Sequence, residues 1–309
     1  MPAPQARMES LNELEPKVPI VISVQDLQAL DRTDVVIADV RWYLDGRDGR
    51  KAYTEGHIPG AIFVDLDRDL ASSDRTDATR GRHPFPTPSA FAGAMSRLGI
   101  GSDSYVVAYD DTGGMTASRL VVMLRMLGCR ASVLDGGINA WQRANDQPLA
   151  SGKPTTVKAT SFATVEWPAD QIVTKQELES IVAKGAINSR RVLLDARSGD
   201  RFQGIVTEAT AKLDPRPGHI PGAFSAPWNA VIDSDTSSFK SVEELQSHYE
   251  SLCVDLADEV IAYCGSGISA CANVVALEQA GYPTPRLFVA LIARREPKAP
   301  VSLKSIVLE

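Results

Sequence analysis

Apolar and polar positions alternate along the chain in two rhythms, short solid apolar runs and longer stretches with helical spacing. In the N-terminal half "PSAFAGAMSRLGI" reads as a helix, "SYVVAYD" as a strand, "TASRLVVMLRMLGC" as a helix and "ASVLDGG" as a strand. In the C-terminal half "TKQELESIVAKGA", "RVLLDAR", "SVEELQSHYESLC" and "EVIAYC" repeat the alternation of helix and strand. After "EVIAYC", Ala270, Val274, Val275, Leu277 and Ala280 recur at helical spacing from Ser269 onward, and Gly281 is a natural stop. Strands separated by helices predict an α/β fold, a mostly parallel sheet with helices on both faces.

The pattern is also a repeat. "VVIADVR" (35–41) answers "RVLLDAR" (191–197), "GHIPGAIF" (56–63) answers "GHIPGAFS" (218–225), and "SYVVAYDDTGGMTASRLVVMLRMLGC" answers "DEVIAYCGSGISACANVVALEQAGY", in the same order at an offset of roughly 150 to 160 residues. Two tandem domains of one fold are expected: a loose leader over 1–17, a first domain over 18–150, a Ser/Thr/Pro-rich linker over 151–170, a second domain over 171–295 and a tail over 296–309.

Composition narrows the chemistry. The 309 residues suffice for two cores, and 44% hydrophobic content is ordinary for a globular protein. No run of eighteen apolar residues occurs, and "MPAPQARMESLNELEPKVP" lacks a signal peptide's apolar core, so neither a membrane partner nor export is expected. A net charge of −7 disfavours nucleic acid as a partner. It also means that an anionic substrate needs locally placed arginines. The four cysteines, Cys129, Cys253, Cys264 and Cys271, have no zinc-like spacing. Reduced thiols in a cytoplasmic protein are expected, with no metal or organic cofactor. Cys129 and Cys253 read as small buried hydrophobes.

Cys264 reads differently. It closes an apolar strand and precedes a Gly- and Ser-rich loop that opens a helix, the edge at which open α/β sheets bind ligands. The repeat supplies a control, because the matching position in the first half is Asp110: "VVAYD" against "VIAYC". One chemical site, in the second half, is the economical reading. A thiol attacks only as thiolate, and lowering its pKa by two units takes roughly 2.7 kcal/mol. A helix N-terminus supplies about 0.3 to 2 kcal/mol of that; loop N–H groups curled around the sulfur must supply the rest. Gly265 and Gly267 allow that curl, while Ser266 and Ser269 add hydroxyls. A phosphatase loop would carry an arginine six positions after the cysteine, but position 270 is alanine and the loop itself holds no positive charge.

"CGSGIS" at 264–269, "DVR" and "DAR", the two "GHIPGA" stretches, "RGRHPFP" and "LDGGINAW" together resemble the tandem-domain rhodanese family of sulfurtransferases. The loop is similar to that of its 3-mercaptopyruvate branch. The resemblance implies two rhodanese-like domains with the active site at their interface, and an enzyme in which Cys264 takes a sulfane sulfur from 3-mercaptopyruvate. The resulting persulfide would yield its sulfur to cyanide, a thiol or thioredoxin. It further implies that loop amides from Gly265, Gly267, Ile268 and Ser269 hold substrate and sulfur, and that Ser266 works with His83 and Asp67 of the first domain in proton transfer. Arg201 matches the family's substrate-binding arginine, with Arg216 as candidate for a second. A thiosulfate:cyanide sulfurtransferase and a non-catalytic persulfide carrier are the alternatives. His57 and His219 occur in both "GHIPG" copies, and Arg41 and Arg197 in "DVR" and "DAR", so all four read as structural. Cys271, two helical turns beyond Cys264, reads as a buried helix residue. After "LF" the family's G-S-W-S-E-W-like segment is replaced by Val289 and "ALIARR", whereas the first half keeps "DGGINAW".

Overall fold

The computed structural model describes residues 18–31, 33–74, 76, 81–144, 148–153, 157–185, 190–213, 217–254 and 259–289. Leader residues 1–17, Arg216 and the segment after Val289 lie outside the described residues.

Strands β1 (Val21–Ile22), β2 (Val35–Asp39), β3 (Ile62–Phe63), β4 (Tyr105–Tyr109) and β5 (Arg130–Leu134) form one five-stranded sheet in the order β1-β5-β4-β2-β3. Strands β6 (Ile172–Val173), β7 (Arg191–Asp195), β8 (Phe224–Ser225), β9 (Glu259–Tyr263) and β10 (Arg286–Phe288) form a second, ordered β6-β10-β9-β7-β8. Every pairing between these strands is parallel. The same permutation in both halves is the three-dimensional form of the sequence repeat. The central strands β4 and β9 are buried almost throughout, as expected for parallel strands covered on both faces.

The predicted helices are present, shortened at their ends: Pro88–Arg97, Ala117–Met126, Lys175–Ala183, Val242–Ser251 and Ser269–Gln279. Local chemistry sets several boundaries. Thr87 caps the first of them with Pro88 at its opening turn, Thr174 caps the third, and Ser241 forms a reciprocal capping box with Glu244 at the fourth. One expectation fails. "ASVLDGG" leaves the sheet at Leu134, and Gly137 opens the helix Gly137–Arg143. Gly136 and Gly137 have φ of 66° and 54°, and a methyl group on Gly137 would lie 2.1 Å from the Asp110 carbonyl oxygen. The double glycine is therefore a tight backbone crossing that no side chain permits.

Helix Ser269–Gln279 is buried on almost every side because it packs on its own sheet and against helix Ala117–Met126 of the other half. One hydrophobic core consequently runs through both halves, joining Val106, Leu120, Val121 and Leu124 to Val260, Val274, Val275 and Leu277. The outer faces of the two sheets have separate cores, around Tyr53 and Trp141 in the first half and Leu178 and Phe288 in the second. The linker belongs to the packed structure too: Phe162 meets Phe91 edge-on at 5.8 Å, and Trp167 lies 4.9 Å from Phe85 and donates to the Pro86 carbonyl at 2.9 Å.

Cys253 corrects another expectation. It is exposed, in a left-handed turn at φ 60° that ends helix Val242–Ser251, so it is not a core residue. Cys129 is partly buried, and burial pushes its thiol up to about 11. The repeated arginines and histidines take matched structural places. Arg41 pairs with Asp39 at 2.7 Å and donates to the Gly56 carbonyl, while Arg197 pairs with Asp195 at 2.6 Å and donates to the Gly218 carbonyl. His57 and His219 each donate from Nδ1 to a carbonyl, of Tyr53 and Phe202, and stack on that same residue's ring.

Candidate active site

Cys264 follows the last residue of β9 and is only 4% exposed. Its sulfur accepts from the Gly267 amide at 3.0 Å and the Ser266 amide at 3.5 Å. Burial by itself would raise the thiol's pKa, but the Ser269 hydroxyl, the Ser266 and Ala270 amides and the charge of Arg82 outweigh it, and the net direction is downward. Gly267 makes the curl possible with φ 71°. The cradle expected from the glycines and serines is thus built, and each of its donors favours the anion.

The first half shows the same cradle already filled. Asp110 Oδ1 accepts from the amides of Thr112 and Gly114 at 2.9 and 2.8 Å. Its Oδ2 accepts from the amides of Thr116 and Ala117 at 2.7 and 3.0 Å and from the Thr116 hydroxyl at 2.9 Å. A fixed carboxylate occupies the nest that the second half leaves to sulfur.

The two halves also cover each other's loops. In the first half, Gly113 and Gly114 face Ile232 and Phe239 of the second, close enough that a methyl group on Gly113 would lie 2.8 Å from Ile232 Cγ2. The Phe239 amide donates to Asp135 across the same boundary at 2.8 Å. Reciprocally, the segment carrying Arg82 and His83 lies on the Cys264 loop. A methyl group on Gly265 would lie 2.9 Å from both terminal nitrogens of Arg82 and 2.8 Å from Arg201 Nη2. Two guanidinium groups, one from each half, therefore flank the loop. The loop carries no cation in its own sequence, but the fold supplies these two and a third, Arg119, which donates to the Gly267 carbonyl at 3.2 Å, and this changes the expected electrostatics.

Among the other predicted residues, His83 Nε2 and Asp67 Oδ1 are 3.0 Å apart, and Trp42 Nε1 donates to Asp67 Oδ2 at 2.8 Å. His83 is buried with its ring edge-on to Trp42, whereas Asp67 remains half exposed. The structure joins Asp67 to His83 directly. Arg119, which donates to the carbonyls of both His83 and Gly267, ties their segment to the Cys264 loop, and Arg82 packs over Gly265 while donating to the Leu213 carbonyl at 2.6 Å. Ser266 is buried in the loop and meets the sulfur through its amide. Arg201 reaches the loop from helix Gly199–Gln203.

Cys271 is fully buried, with its thiol donating to the Gly267 carbonyl at 3.0 Å, and burial pushes it up to about 12. The two cysteines, seven residues apart, thus have opposite tendencies to ionise. No cluster of three His, Cys, Asp or Glu side chains suited to a metal occurs among the described residues. No helix among them is long and apolar enough to cross a membrane.

Two functional candidates escape a reading of the sequence. Arg82 stands beside His83 in "RGRHPFP", and adjacency to a candidate residue was its only signal. Arg119 lies fully buried in the helix read from "TASRLVVMLRMLGC", and its spacing with the apolar Val122 and Met123 was its only signal.

A doubled parallel α/β unit with one cysteine cradle, covered by its sister unit, defines a two-domain sulfur-handling scaffold. The chain belongs to the Rhodanese-like domain family, which matches residues 23–144 and 174–289. It is 37% identical over 289 residues to the "Probable 3-mercaptopyruvate sulfurtransferase" of Pseudomonas aeruginosa, covering 91% of this chain and 97% of that protein. It is 38% identical over 241 residues to the human 3-mercaptopyruvate sulfurtransferase, covering 76% of each. The crystal structure of SseA from Escherichia coli, a 3-mercaptopyruvate sulfurtransferase of the rhodanese fold, superposes with a TM-score of 0.72 at 26% identity, over 88% of this chain and 98% of that one.

Proposed function

We propose that the protein is a 3-mercaptopyruvate sulfurtransferase acting through a Cys264 persulfide. The single observation carrying this reading is the Cys264 sulfur held by the Gly267 and Ser266 amides in a cradle whose twin in the first half is filled by Asp110. The Cys264 thiolate attacks the donor's sulfur and the carbon–sulfur bond breaks. Its electron pair passes to carbon as the enolate of pyruvate, and the proton given up by the donor's thiol ends on that carbon. Pyruvate leaves, and the terminal sulfur of the persulfide remains as an anion in the same cradle. A thiophile then attacks the outer sulfur and releases the Cys264 thiolate, for which a low pKa again helps because it makes a better leaving group.

We assign Arg201 and Arg82, whose guanidinium groups both lie against Gly265, to holding the donor's carboxylate, a task suited to guanidinium groups. Arg216, the other sequence candidate, lies outside the described residues. Ser266, His83 and Asp67 are assigned to proton transfer, with Asp67 orienting the His83 ring. The loop groups Gly265, Gly267, Ile268 and Ser269 are assigned to donor binding, a reading supported by the Gly267 amide and the Ser269 hydroxyl at the sulfur. We assign a small thiol or reduced thioredoxin as acceptor and the cytoplasm as location; four free cysteines suit a reducing compartment.

Incubation with 3-mercaptopyruvate should add the mass of one sulfur to the Cys264 peptide and release pyruvate, and Cys264→Ser should abolish both. A persulfide without pyruvate turnover would leave a carrier role, and a higher kcat/KM for thiosulfate would reassign the donor.

A further inference from the structure

Arg119 is a fully buried cation, and among the described residues no carboxylate pairs with it. Its Nη1 donates to the Gly267 carbonyl at 3.2 Å, and its Nη2 donates to the carbonyls of Leu70 at 3.2 Å and His83 at 3.0 Å. Its guanidinium carbon lies 4.2 Å above the centre of the Phe85 ring. Carbonyl dipoles and an aromatic face soften the loss of water around a buried charge, but a charge so placed is best offset by an anion. The candidate anion is close at hand. The Gly267 residue whose carbonyl Arg119 holds is the one whose amide holds the Cys264 sulfur at 3.0 Å. Burial lowers the guanidinium's own pKa, and the opposing pull comes from Cys271 and Cys264. Arg119 acts first on Cys271, which it also hydrogen-bonds, but burial pushes that thiol up to about 12. The link to Cys264 runs through Gly267, whose carbonyl accepts from Arg119 and whose amide donates to the Cys264 sulfur.

We propose that Arg119, from the half without the cysteine, is a positioning residue that counter-charges the Cys264 thiolate and fixes the Gly267 turn of its cradle. The same side chain ties that turn to the strand of chain delivering Arg82 and His83, so the sulfur cradle and the facing segment are set by one group. This rests on Cys264 being the reactive thiol, but not on which donor it serves. Among the described residues, the charged and titratable groups around the loop are Arg82 and Arg119 from the first half and Arg201 and Cys271 from the second, with the Asp67–His83 pair next to Arg82 in the chain.

The test is the pH dependence of iodoacetamide alkylation at Cys264, read by mass spectrometry of its peptide in wild type, Arg119→Met and Arg119→Lys. Thermal unfolding of each variant is measured in parallel. Arg119→Met should raise the alkylation midpoint by about one pH unit, which is about a tenfold slower reaction on the acid side of the midpoint. Arg119→Lys keeps the charge but not the fork of hydrogen bonds, and should raise the midpoint by a smaller, resolvable step. A purely structural arginine would lower the unfolding temperature and leave the midpoint where it was; that result in a folded Arg119→Met protein overturns the proposal. If Arg119→Met fails to fold, Arg119→Gln, which removes the charge and keeps a polar side chain, takes its place, and an unchanged midpoint there does the same. Wild-type Cys264 reacting like a free thiol would instead remove Cys264 itself as the active group, a different failure from that of Arg119.

Discussion

Asp110 and Cys264 occupy the same place in the two halves, each directly after the central strand and each facing the amides that open the next helix. The carboxylate accepts five hydrogen bonds from its loop. One half fills the amide-lined space of this turn with its own carboxylate. The other reserves that space for a sulfur whose charge must come and go. The first half, whose nest is already filled, places Arg82 over Gly265 and joins Gly267 to His83 through Arg119.

Replacing Asp110 by Asn should cost about 3 kcal/mol of stability, because hydrogen bonds to a buried charge are worth about 1.5 to 3 kcal/mol and the amide group cannot accept all five. Denaturant unfolding of the variant measures this. A loss within a few tenths of a kcal/mol would mean that the filled nest contributes little.

The two buried thiols should leave opposite marks on stability against pH. A depressed pKa makes ionised Cys264 stabilising above the ordinary cysteine value of about 8.5, a contribution lost as pH falls through its folded value. Cys271, raised to about 12, gives its full contribution below about 8.5 and loses it as pH rises towards 12. Stability should therefore climb towards pH 8.5 and decline beyond it. Cys264→Ser should remove the climb and Cys271→Ala should lessen the decline, part of which Cys129, raised to about 11, retains, as followed by urea unfolding between pH 6 and 10.

Arg82 and Arg201 should be separable by kinetics. Arg201→Ala should raise KM for 3-mercaptopyruvate about 10- to 100-fold, the worth of one charge-assisted hydrogen bond, with a smaller change in kcat. Arg82→Ala should raise KM and also shift Cys264 alkylation to higher pH, since its charge acts on the sulfur. Equal KM values for wild type and Arg201→Ala would take Arg201 out of the donor site.

His83→Asn should lower kcat about 100-fold while leaving persulfide-cradle amides untouched, in the range for loss of a proton-transfer group. Trp42→Phe, which deletes the Nε1 bond to Asp67, should reproduce a small part of that loss. Stopped-flow pyruvate release distinguishes this from a binding defect, and a full-rate His83→Asn enzyme would show that the Asp67–His83 pair only shapes the loop.

Gly137→Ala should destabilise the first half severely, because the added carbon meets the Asp110 carbonyl at 2.1 Å and φ is positive as well. Thermal unfolding reads the effect directly, and a melting temperature equal to wild type would show that the backbone crossing can yield. The C-terminal half has Ala290 and Leu291 in the matching places, outside the described residues.

Local and repetitive features of this protein were set by the sequence alone. Solid apolar runs dictated buried parallel strands, the internal repeat dictated two copies of one sheet, and the glycines and serines after Cys264 dictated an anion-holding turn, because each depends on residues near one another in the chain. Tertiary structure decided what required distant segments to meet. Arg82 reaches Gly265, and Arg119 reaches Gly267, only because the sister helices pack face to face across a shared core. The exposure of Cys253 and the bend at "DGG" likewise came from how a helix ends and how two backbones cross, contacts for which hydrophobic spacing carries no signal.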